Sequence, residues 1–142
     1  MRINTKYTIF IAFLIFLLGG AFAKAQRIQN NNYTTKGEIK SDGRIINSKY
    51  QTVGYIQSDG RVQDQNYRTI GYLRDERVMD ASYRTIGYIK NDGRVQDASY
   101  RTLGYVKDDG RVQDQSYRTL GYAKNVPKIW AALVFFFFTI DA

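Results

Sequence analysis

The chain has 142 residues, with 21 Lys plus Arg against 13 Asp plus Glu, a formal net charge of +8, and neither Cys nor His. That length suits one domain. Without Cys there is no disulfide frame, thiolate nucleophile or lipid-modified N-terminal Cys, and without His most acid–base and nucleophilic arrangements are also excluded.

Arg2 and Lys6 precede a continuous apolar run, Ile9 to Leu18, which Gly19 and Gly20 break. Ala23-Lys24-Ala25 then has the small-x-small form of a cleavage site. Residues 1–25 therefore read as a secretory signal peptide, with Gln26 the first mature residue. The other reading is an uncleaved anchor, for which the run is short. Loss of Arg2, Lys6 and Lys24 leaves 18 basic against 13 acidic side chains, a net charge of +5. That mild excess does not point to nucleic acid as a partner. The expected destination is the periplasm or the cell surface.

From residue 26 to residue 126 the chain is a tandem repeat. Residues 54–70 read GYIQSDGRVQDQNYRTI, 87–103 read GYIKNDGRVQDASYRTL and 104–120 read GYVKDDGRVQDQSYRTL. Framed from the arginine, six units occupy 27–40, 44–57, 61–74, 77–90, 94–107 and 111–124. A fixed period marks a repeat architecture. Each unit carries two strand signals, as in Arg94 to Asp97 and Tyr100 to Val106, rich in β-branched and aromatic residues in alternation. The x-Asp-Gly segments between units predict three-residue hairpin loops, with Gly43, Gly60, Gly93 and Gly110 in the left-handed conformation. Their aspartates read as turn chemistry, since a calcium loop needs a denser set of spaced oxygen ligands. Residues 74–77, Arg-Asp-Glu-Arg, are one residue short and lack Gly, which predicts a tighter, irregular turn.

The array starts with a second-half strand (27–30) and ends with a first-half strand (121–124), so the two ends can pair. Closure also removes unpaired sheet edges. The fold class expected is all-β: a closed, shallow ring of about twelve short antiparallel strands in six hairpin units. Strands ~4.8 Å apart, tilted ~40°, make a ring roughly 24 Å across with a bore on the order of 12–14 Å, the width of one α-helix. The repeated Gly, the aliphatic residue after Tyr, and the Val of Arg-Val-Gln-Asp are expected to face inward.

Residues 127–142 read PKIWAALVFFFFTIDA. Pro127 suits a first helical turn, and a dozen helical residues would be about 18 Å long, short of a hydrocarbon core of about 30 Å. The segment is read as a central helix that plugs the bore with Trp130, Leu133, Val134, Phe135, Phe136, Phe137 and Phe138. A membrane-inserted tail and a strand are the rival readings.

Two sets of arginines are candidates for holding anionic lipid headgroups or acidic envelope glycans: Arg61, Arg77, Arg94 and Arg111, and Arg68, Arg84, Arg101 and Arg118. Their competing role is cross-strand pairing with Asp64, Asp80, Asp97 and Asp114. The tyrosines Tyr55, Tyr72, Tyr88, Tyr105 and Tyr122, with Tyr50, Tyr67, Tyr83, Tyr100 and Tyr117, either stack on sugars, lie at a membrane interface, or pack between hairpins. Recurrence of one Asp in every unit argues against catalysis, which needs members with distinct roles. No catalytic, cofactor or metal residue is assigned, and no small-molecule ligand is identified.

The tandem G-Y-[IV]-K-x-D-G-R-V-x-D units, the signal peptide and the terminal FFFF together resemble the bacterial β-flower proteins, over residues 27–140. Those are shallow, radially symmetric rings of β-hairpins. They look like distant relatives of the Tubby C-terminal domain, a twelve-stranded barrel threaded by an apolar helix. Tubby-like domains bind phosphoinositide headgroups, so the resemblance implies membrane-surface binding, without carrying over any individual binding residue. The function expected is an exported, non-catalytic binding or structural module, associated with the envelope or with membrane lipid. Glycan or cell-wall binding, and a tail that serves as a membrane anchor, are the alternatives.

Overall fold

The structure, a computed structural model, describes residues 24–139. The signal-peptide reading falls almost wholly outside the described residues, as do the last three residues of the tail. Twelve strands follow one another: β1 (Arg27–Asn30), β2 (Thr35–Ile39), β3 (Arg44–Asn47), β4 (Thr52–Ile56), β5 (Arg61–Asp64), β6 (Thr69–Arg74), β7 (Arg77–Asp80), β8 (Thr85–Ile89), β9 (Arg94–Asp97), β10 (Thr102–Val106), β11 (Arg111–Asp114) and β12 (Thr119–Lys124). A short helix α1 (Lys128–Ala132) continues into a π-helical turn, Leu133–Phe137. Each strand pairs antiparallel with its sequence neighbours, and β1 pairs with β12 from Arg27↔Lys124 to Asn30↔Gly121. The sheet is thus a closed barrel with no free edge, the ring expected from the two half-units.

Two kinds of turn alternate around the ring. At the x-Asp-Gly turns, Gly43, Gly60, Gly93 and Gly110 have φ of +85° to +91°, a region glycine enters without a steric penalty. At the other turns a tyrosine takes the left-handed position: Tyr33, Tyr50, Tyr67, Tyr83, Tyr100 and Tyr117 have φ of 61° to 64°. No residue pattern signals this, because nothing about Tyr favours a conformation that costs an L-residue roughly 1–2 kcal/mol. At residues 74–77 the turn is tighter, as expected. It is regular rather than irregular, however: Arg74 pairs directly with Arg77, and Asp75 takes φ 53°. One residue fewer lets the ladder run to its end.

The register slips by one residue within each strand pair joined by a tyrosine turn, for example between Val62↔Gly71 and Gln63↔Thr69, so that Ile70 is the extra residue of a bulge. Repeated bulges bend short strands strongly, which suits a small ring. They also re-aim the residue before each strand glycine.

The core is the bore. Ile28, Ile45, Val62, Val78, Val95 and Val112 from the odd strands, and Ile39, Ile56, Ile89, Val106 and Ala123 from the even ones, are buried. They form one cluster with Ala131, Ala132, Leu133 and Val134 of the helical segment. The apolar tail therefore runs inside its own ring. Its four phenylalanines fan over alternate strands, β12, β10, β8 and β6: Phe135 against Gly121, Phe136 against Gly104, Phe137 against Gly87 and Phe138 against Gly71. A β-carbon on Gly104 would stand 2.7 Å from the Phe136 ring, so these strands have room for the rings because they lack side chains there. The π-turn has a geometric rationale. Six units place neighbouring glycines about 60° apart, whereas an α-helix turns about 100° per residue. An i→i+5 turn advances less per residue and follows the ring more closely.

Candidate functional site

Strand direction divides the loops between two rims. β3, β5, β9 and β11 begin after an x-Asp-Gly turn and β7 after the shorter Asp75-Glu76 turn on the same rim, and every odd strand ends at a tyrosine turn. The eight candidate arginines therefore do not form one site. Arg61, Arg77, Arg94 and Arg111 start odd strands at the x-Asp-Gly rim, where Arg61 Nε donates to Asp59 Oδ2 at 2.7 Å. Arg68, Arg84, Arg101 and Arg118 lie in the tyrosine turns at the opposite rim.

The second set is built the same way four times. Asp97 ends β9, and its Oδ1 accepts the backbone N–H groups of Ser99 and Arg101 at 2.8 and 3.0 Å, while Oδ2 accepts from Arg101 Nε at 2.8 Å. Asp64–Arg68, Asp80–Arg84 and Asp114–Arg118 repeat the pair at 2.8 to 3.0 Å. The backbone N–H of Arg101 is the main cause that holds the Asp97 carboxyl below its ordinary value. At Asp64, Asp80 and Asp114 burial acts in the opposite direction, but the backbone N–H groups and the arginine together outweigh it. These aspartates close turns and orient arginines. The arginine side chains themselves are 77–81% exposed, and the hydrogen bond to Asp engages Nε.

The tyrosines mostly stack on each other. Tyr55–Tyr67, Tyr72–Tyr83, Tyr88–Tyr100, Tyr105–Tyr117 and, across the seam, Tyr33–Tyr122 have ring centroids 4.4 to 5.0 Å apart and planes within 17° of parallel. This stacking offsets strain at five of the six tyrosine turns, where the left-handed residue lays its ring on a tyrosine of the neighbouring strand. In the first-named tyrosines of the first four pairs and in Tyr122, the hydrogen bond to the partner hydroxyl raises the phenol pKa. Each stacked ring gives one face to its partner, and the turn tyrosine of each pair remains 57–64% exposed. Tyr50 alone of the six turn tyrosines is outside these pairs, and it is 87% exposed.

Inside the tyrosine rim lies an apolar mouth that the sequence did not reveal. The bulge residues Ile70 and Leu120 are 39% and 40% exposed. Ile70 shares a cleft of about 310 Å³ with Phe138, Val53 and Thr139. Leu120 shares one of about 190 Å³ with Phe135, Val134, Ile28 and Thr139. The plug residues thus have two roles in space: Leu133 and Val134 are buried, while Trp130 and Phe135 to Phe138 are half-buried against the cluster. A period-two reading assigns Ile70 and Leu120 to the outer face; only knowledge of the bulge turns them toward the mouth.

Among the described residues no group of three or more Asp and Glu could hold a metal ion, and no helix is long and apolar enough to cross a membrane.

Residues 25–139 match the family described as 5-fold beta-flower protein, and the chain belongs to that family. Nothing among curated proteins or solved structures matches it.

Proposed function

We propose that this β-flower ring is an exported, non-catalytic module that docks on anionic membrane surfaces through its tyrosine-turn rim. One observation carries the reading: four exposed arginines, a belt of tyrosines and an apolar mouth lie together on one rim. Arginine recognises lipid phosphate through its planar fork, and with Nε held by Asp the terminal nitrogens are oriented outward. Tyrosine suits the headgroup layer, having an apolar ring and a polar tip. Ile70, Leu120 and the phenylalanine edges supply a small apolar contact, in keeping with a surface-bound rather than spanning protein.

The test is co-sedimentation of the mature protein with vesicles of phosphatidylcholine alone and with a third of phosphatidylglycerol added. Binding is expected only to the anionic vesicles and falls with salt. Each Arg68→Gln or Arg101→Gln change weakens it by about 1 kcal/mol, roughly fivefold. Arg61→Gln, on the far rim, leaves it unchanged. Equal binding to both vesicles, or none to either, refutes the proposal.

A further inference from the structure

Six positions on the ring pair a strand residue with a turn tyrosine, and the pair that would include Tyr50 is incomplete. The strand position held by Tyr55, Tyr72, Tyr88, Tyr105 and Tyr122 in the other units is Glu38 in the first. Register confirms the equivalence: Arg44↔Tyr55, Arg61↔Tyr72 and Arg77↔Tyr88 correspond to Arg27↔Glu38. Tyr50 still has the left-handed φ of 62° that elsewhere serves the stack, yet its ring is 87% exposed. Where the missing ring would lie there is a cleft of about 280 Å³, lined by Arg27, Thr35, Glu38, Ser48 and Tyr50 among others. That is close to the lower end of ligand pockets, about 300–1,000 Å³, and suits a ligand of one or two rings.

We infer that this cleft is a saccharide subsite, in which a pyranose ring takes the place of the absent tyrosine and lies against the face of Tyr50. The lining decides between ring-shaped ligands. A purely aromatic group offers no hydrogen bonds to the polar lining of Arg27, Thr35, Glu38 and Ser48 and would displace the water that serves it, which is costly. A cation is opposed by Arg27 across the strand and by Lys40, which already forms an ion pair with Glu38. A sugar offers an apolar face for the tyrosine and hydroxyls that both donate and accept. Glu38 and Arg27 then meet them as acceptor and donor, with Thr35 and Ser48 completing the set.

The experiment is a titration of the mature protein, carrying ¹³C-labelled tyrosine, observed by NMR. The probes are tetramers of N-acetylglucosamine, glucose and galacturonic acid, with p-cresol as the aromatic comparison. A saturable shift of the Tyr50 ring by at least one saccharide is expected. Affinity falls about tenfold or more in Tyr50→Ala and survives in Tyr50→Trp. Glu38→Tyr, which restores the sixth stack and preserves the fold, abolishes it. No saccharide response at Tyr50, a response to p-cresol alone, or a response that persists in Glu38→Tyr overturns the inference. Vesicle binding by the opposite arc, at Arg84 and Arg101, is unaffected by Glu38→Tyr, so the two sites fail or succeed separately.

Discussion

Replacing Leu133 by Ala tests the central feature of the fold, a ring filled by its own tail. Leu133 is fully buried, in one cluster with the valines and isoleucines of the strands. Leu→Ala changes in cores cost about 2–5 kcal/mol, depending on how far the site can collapse. Collapse is hindered here, because the surrounding wall is a hydrogen-bonded sheet closed on itself. The expected loss is therefore in the upper half, about 3–5 kcal/mol. For a domain of about 115 residues this lowers the melting temperature by roughly 12–20 °C. Urea unfolding followed by far-UV circular dichroism reads it directly: the midpoint should fall with little change in slope. A loss below about 1 kcal/mol would refute the reasoning, since a surface leucine gives a value of that size. A tail that served as a membrane anchor would be just as insensitive, so the measurement also separates the two readings of residues 127–142.

Gly93→Ala places a β-carbon against the Val106 carbonyl oxygen at φ +91°, so it should cost more than the roughly 1–2 kcal/mol of left-handed strain alone, measured by the same urea series. Glu38→Tyr should stabilise the ring by about 0.5–1.5 kcal/mol through a sixth stack, seen as a higher unfolding midpoint; an unchanged or lower midpoint contradicts the stacking account. The depressed Asp64, Asp80, Asp97 and Asp114 contribute stability that is complete above the ordinary carboxyl value of 3.8 and is lost as pH falls through their lower folded values. The raised tyrosines act with the opposite sign, contributing below pH 10.0 and losing that contribution as pH rises through their folded values. Melting temperature against pH should thus fall at both ends, and Asp97→Asn should flatten the acid limb; an acid limb of the same steepness in that variant contradicts the role given to Asp97.

Much of the architecture was legible because the repeat constrains it twice. Equal units fix the strands, and a half-unit at each end fixes the closure. The inward set was legible too, since Gly, the residue after Tyr, and the Val of Arg-Val-Gln-Asp alternate along each strand. Three features were not. The left-handed tyrosines follow no backbone preference: at all six an Asp or Asn side chain accepts the backbone N–H groups on either side of the tyrosine, and five of the six rings also stack. The bulges depend on cross-strand pairing that no single strand encodes, which hid Ile70 and Leu120. The division of the arginines between rims required knowing that each strand spans the full height of the ring.

The repeat describes the scaffold, so departures from it are where distinct chemistry can arise. Four phenylalanines serve six strand glycines. At Gly37 and Gly54 the nearest atoms come from neighbouring strands, not from the plug. Gly37 lies in the strand that carries Glu38 in place of tyrosine, and Lys36 in place of the aliphatic found as Val53, Ile70, Ile86, Leu103 and Leu120. The unstacked Tyr50 belongs to the adjoining turn. Packing alone would favour an aliphatic and a tyrosine here, as in every other unit. A cationic and an acidic side chain therefore stand at this arc without a packing reason. On the far arc, regular units supply the arginine rim and its stacked tyrosines. The ring thus has a repetitive side suited to an extended charged surface and one singular notch suited to a small polar ligand, and the two are separable by mutation because they share no residue.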